Sequence, residues 1–123
     1  MIKDKTTQQS LPTMLPQKAI TLLQEQIKKA EDFLISEYVS SNSYYSWVLV
    51  TKNYLEAAFG FNSPNVSSIT DVGKYGSFPM NAGKSWWGNK RLKSLRTQMT
   101  KMNSLIEVLK TNVQTKPSPI PIG

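Results

Sequence analysis

Two residue types are missing outright: the 123-residue chain has no cysteine and no histidine. Without cysteine there is no disulfide and no thiol nucleophile. Without histidine, the His-based triads and nearly all zinc sites go, and so does the usual acid–base group near neutral pH. Any catalysis would fall to carboxylates, Lys, Tyr or Ser, and the chain is read as no enzyme. No metal or cofactor is expected. No apolar run approaches the ~20 residues of a membrane span. The N-terminal stretch MIKDKTTQQSLPTMLPQKA lacks the apolar segment of about 7–15 residues that marks a signal peptide. The expected location is therefore the cytoplasm, with no membrane contact, and the Asn-Val-Ser sequon at Asn65 carries no glycan there.

A phosphate-binding loop is also lacking, although its tail is present as Gly83-Lys84-Ser85. A P-loop needs a glycine five positions before Gly83, and that position holds Phe78, followed by Pro79. A phenyl ring would fill the nest of backbone N–H donors, and proline has no N–H to give. The last third of the chain lacks acid. Before Lys84, seven lysines balance seven carboxylates; from Lys84 onward, six lysines and two arginines face Glu107 alone. The whole +7 net charge lies there. Such asymmetry marks an acidic partner or a nucleic acid.

What is present has helical period. After a polar leader over 1–15, Pro16 opens a segment where Ile20, Leu23, Ile27, Ala30 and Leu34 step by 3, 4, 3, 4, predicting a helix to about Tyr38. Ser40 to Ser43 supplies N-cap residues. Tyr44, Val48, Thr51, Leu55 and Ala58 then step by 4, 3, 4, 3 toward a stop at Gly60, predicting a second helix over 43–59. Residues 60–83 read as a long connection, in which VSSIT forms a short strand or helical turn. The strongest period follows from about Ser85: Leu92, Leu95, Met99, Met102, Ile106 and Leu109 step by 3, 4, 3, 4, 3, with Val113 beyond. Prolines end helix near 115, leaving 115–123 as a tail or linker. The expectation is an all-α chain: a small three-helix antiparallel bundle over 16–114, with a long irregular connection between helices two and three.

Candidate functional residues concentrate at the start of the third helix. Lys90, Lys93 and Lys101 fall on one face, with Arg96 beside them and Lys84, Ser85 and Arg91 near the helix start. This set is a candidate phosphate or nucleic-acid site, with Trp86 and Trp87 as candidate stacking platforms. The competing reading is a solvated helix face with a tryptophan buried in the bundle. Trp47, Tyr44, Tyr45 and Tyr54 read as core in preference to the lining of a ligand pocket, and Met99 and Met102 also read as core. Glu31 and Asp32 are adjacent and so point apart; the scattered acids read as surface.

Trp47, the Phe59-Gly60 that follows twelve residues later, and Asn62-Ser63 form a string, preceded by the helix AITLLQEQIKKAEDFL and a Ser/Asn-rich break. This resembles the N-terminal helical region of bacterial nucleotide-binding proteins that carry a C-terminal TIR-like domain, many of them tied to anti-phage defence. The resemblance covers about residues 19–63 and, more loosely, 92–113. These 123 residues hold no TIR-like domain, so no catalytic residue carries over, and YGSFPMNAGKSWWGNKR has no counterpart. What the resemblance implies is a recognition or assembly module. The function expected is a non-catalytic helical interaction module that binds a protein partner or self-associates, linked to defence. The alternative is a small basic nucleic-acid or nucleotide binder working through the third helix.

Overall fold

The computed structural model describes residues 11–74 and 76–115, and among them there are four helices and no strand. Helix α1 spans Pro16–Ser36, α2 Ser41–Phe59, α3 Pro64–Thr70 and α4 Lys84–Thr115. The chain is all-α, with one helix more than the expected three. The extra helix lies in the connection expected to be irregular. Ser63 caps it, its hydroxyl accepting the Asn65 N–H at 3.1 Å, and Pro64 fills the first position, where no N–H is needed. The β-branched run in PNVSSIT disfavours helix on propensity. Burial of Val66 and Ile69, one turn apart on the inner face, outweighs it. Residues 1–10 of the leader and 116–123 of the tail lie outside the described residues.

Helix α1 buries Ala19, Ile20, Leu23, Gln26, Ile27 and Ala30, the expected stripe with one glutamine inside it. It ends on Glu37 in the left-handed region (φ 59°). Ser40 then caps α2, its hydroxyl taking the Ser43 N–H at 3.0 Å. Helix α2 buries Tyr44, Trp47, Thr51, Leu55 and Ala58. Trp47 rather than Val48 is the fully buried member of its turn, because its longer ring reaches α1. Along α4, Leu92, Leu95, Met102, Leu105, Ile106 and Leu109 are buried, Met99 is partly buried and Val113 is exposed. Each fully buried aliphatic side chain contributes about 1.5–3 kcal/mol.

Hydrogen bonds fix the relative directions. The Thr13 and Met14 N–H groups, just before α1, donate to the Ala57 carbonyl near the end of α2 at 2.8 and 3.0 Å. At mid-length, Gln26 Nε2 donates to Thr51 Oγ1 at 2.8 Å. So α1 and α2 run opposite ways. The Arg91 guanidinium, early in α4, donates from Nε to the Val39 carbonyl between α1 and α2 at 3.1 Å. Helix α4 therefore starts where α1 ends and lies mainly along α1. It touches α2 only sparsely, and α3 packs against both. The consequence is a wedge-shaped opening between α2 and the first half of α4.

Candidate binding groove between α2 and α4

The floor of that opening is a buried polar chain. Tyr44 Oη donates to Gln98 Oε1 at 3.1 Å, and Gln98 Nε2 donates to the Ile69 carbonyl at 3.1 Å. One amide thus joins α2, the end of α3 and α4, and pairs groups that would be costly to leave unpaired. Burial pushes the Tyr44 phenol above its ordinary pKa; hydrogen bonds with Gln98 and Ser94 pull part of the way back.

The chain after α3 walls the opening. Gly73 takes a positive φ of 79°, and a Cβ there would stand 2.6 Å from Ser94 Oγ, so only glycine lets the backbone come this close to α4. Farther on, the Phe78 ring packs on Trp87 (centroids 5.3 Å) and Trp86 (6.4 Å). The two indoles meet edge to face at 4.8 Å. Lys90 Nζ lies 5.6 Å from the Trp86 ring and 6.0 Å from that of Trp87. This aromatic cluster staples the connection onto the first turns of α4.

The resulting groove has a volume of about 540 Å³. Its apolar surface comes from Tyr45, Val48 and Leu49 of α2, with Val72 and Phe78 opposite. Tyr45 is 63%, Leu49 58% and Phe78 59% exposed, so apolar side chains on both walls stand open to solvent. Lys52, Lys74, Lys90 and Arg91 rim it, and no Asp or Glu lines it. Lys74 alone of these is ion-paired among the described residues, to Asp71 at 3.3 Å.

The candidate residues read from sequence do not converge on one site. Lys90 and Arg91 reach the groove, although the Arg91 Nε is already spent on the Val39 carbonyl. Lys84 and Ser85 stand exposed at the first residues of α4, in a neighbouring cleft that also contains Glu37. Lys93 lines a third cleft of about 450 Å³ with Trp86. Arg96 and Lys101 are exposed farther along, Lys101 beside Ser67 and Asp71. Trp86 is half-buried and Trp87 is 36% exposed. Tyr45, read from sequence as core, is instead exposed at the groove, because it lies one residue off the buried stripe of Tyr44 and Trp47. Sequence reasoning missed Leu49, Lys52 and Phe78. The available signal was on α2, where Tyr45, Leu49 and Lys52 step by 4 and 3 along a second, outward stripe beside the core stripe.

Among the described residues, no helix is long and apolar enough to cross a membrane. Comparison with family models, with curated proteins and with solved structures gives no match to this chain.

Proposed function

We propose that this chain is a non-catalytic helical interaction module of the cytoplasm, with α1, α2 and α4 acting as an antiparallel bundle and α3 as its brace. The groove between α2 and α4 is the working surface. The observation that carries this reading is the exposed apolar side chains of Tyr45, Leu49 and Phe78, rimmed by cations and free of carboxylates. Apolar side chains left exposed inside a charged rim are what the apolar face of a partner would bury. The link to bacterial or phage defence rests on the string Trp47, Phe59-Gly60 and Asn62-Ser63 and on its resemblance to the helical region of TIR-like-domain proteins.

A second reading, a nucleic-acid or nucleotide binder, is favoured by one observation. Lys90, Lys93, Arg96 and Lys101 have no carboxylate partner among the described residues. Against it, the Trp86 and Trp87 rings are engaged with each other, with Phe78 and with Lys90, which leaves little free face for a base. Titration of a fluorescent single-stranded oligonucleotide at about 50 and 200 mM salt separates the two. The interaction-module reading expects no saturable complex at the higher salt. A saturable complex with a steep salt dependence, lost on joint Lys93→Glu and Arg96→Glu substitution, would replace it with the nucleic-acid reading.

A further inference from the structure

Resting on the interaction-module reading, we infer that the groove between α2 and α4 receives an acidic amphipathic helix from a partner protein. The walls decide the apolar half of that description. Val48, Leu49 and Val72 line the groove with aliphatic groups beside the Tyr45 and Phe78 rings, a mixed apolar surface that suits the branched side chains of a docking helix. A groove of about 540 Å³ takes a few anchor side chains rather than a whole helix, which is how one face of a helix enters a groove, by anchors at i, i+3 or i+4, and i+7. Tyr45 and Leu49 lie one turn apart on α2 and are both exposed, so this wall offers apolar contact over a full helical turn.

The rim decides the charge. Four cations stand around the groove without a carboxylate among its lining residues, and the Asp71 carboxylate partly offsets only Lys74. A neutral or basic helix would leave Lys52 and Lys90 facing apolar or like-charged surface, whereas carboxylates flanking the anchors pair with them. A second copy of this chain is a poorer occupant. Its exposed α1 face interleaves Glu25, Glu31 and Asp32 with Lys18, Lys28 and Lys29 and so offers no acidic stripe.

The test uses the full chain and a labelled helical peptide of about 18 residues with leucines at i, i+3/i+4, i+7 spacing and flanking glutamates. Anisotropy titration is run on the natural protein and on Leu49→Glu and Lys52→Glu. Both positions are exposed, and melting curves confirm that the variants fold. Saturable binding is expected, weakened about tenfold or more by either substitution, and weakened as much when glutamine replaces each peptide glutamate. Binding that ignores Lys52→Glu, or a glutamine peptide that binds equally well, overturns the inference. So does self-association of the chain that Lys52→Glu abolishes. If neither the peptide nor an oligonucleotide binds, the acidic-helix inference falls while the interaction-module reading stands. If the oligonucleotide binds in place of the peptide, both fall.

Discussion

On the side of α2 that faces α1, Trp47 is 4% exposed, and its indole N–H donates to the Gln26 carbonyl at 2.8 Å. On the α4 side of the groove, Trp87 is 36% exposed and packs on the Phe78 and Trp86 rings with the Lys90 ammonium nearby. The first joint is closed. The Gln26 side-chain amide donates in turn to Thr51 and to the Trp47 carbonyl, so polar groups of both helices are paired across the interface and the two hold one register. The second joint is propped apart. Its one deep polar link, Tyr44 to Gln98, lies at the bottom, and above it the surface is apolar and open. The same residue type therefore serves opposite ends: Trp47 locks two helices together, and Trp87 helps hold a wall beside a gap. Core packing at the closed joint supplies stability, and the open joint is where a partner has something to bury.

The largest effect is expected at the closed joint. Trp47→Ala removes a buried ring and the indole hydrogen bond that ties it to the Gln26 carbonyl, at a cost of about 3–5 kcal/mol. Urea denaturation measures it. A loss no larger than that of an exposed substitution would mean that α1 and α2 are not locked here, and the contrast between the two joints would collapse.

Tyr44 sharpens the contrast because it belongs to both, buried like the first joint and placed beneath the second. Its phenol titrates above the ordinary tyrosine value of about 10, mainly because burial disfavours the phenolate. The folded state thus holds this proton where the unfolded chain gives it up. The stabilisation is full below the unfolded value and is lost as pH rises from about 10 through the folded value. Tyr44→Phe costs about 1 kcal/mol at neutral pH, where the Gln98 oxygen loses its donor. The gap between the two proteins should narrow as pH climbs above about 10. Denaturant midpoints of both across that range are the measurement, and a constant gap would show that Tyr44 does not sit where burial controls its charge.

The parts of this molecule legible in the sequence are those governed by local period. Ile20, Leu23, Ile27 and Ala30 on α1, and Leu92, Leu95, Met102, Ile106 and Leu109 on α4, are the buried residues their spacing implies. Pro16 and Ser40 mark helix starts by the chemistry of the orphan N–H groups. What period cannot carry is tertiary pairing. Gln26 and Gln98 look like surface residues in the sequence, yet each is buried because a partner on another helix satisfies its amide. Helix α3 was legible only as one of two alternatives for a related reason: Val66 and Ile69 favour a strand locally, and packing against α2 and α4 makes helix the better choice. The groove itself depends on the Gly73 approach to Ser94 and on Phe78 folding back onto two tryptophans, contacts that no spacing rule announces.

The smallest stability effect is expected at the open joint and is the most discriminating in kind. Trp87→Ala deletes one ring of the Phe78 cluster, and aromatic pairs of this sort contribute about 0.5–1.5 kcal/mol. Much of that is returned, because the indole is already partly in water. A net loss below about 1 kcal/mol is expected, well under that for Trp47→Ala. Its mark should appear elsewhere. With the staple weakened, Phe78 no longer holds the connection against α4, and limited proteolysis should cut that connection faster while the helices stay protected. Faster cutting with nearly unchanged stability is what a wall built beside a gap predicts. A loss as large as that for Trp47→Ala, with no change in cutting, would make Trp87 an ordinary core residue and the groove a packing irregularity with no wall of its own.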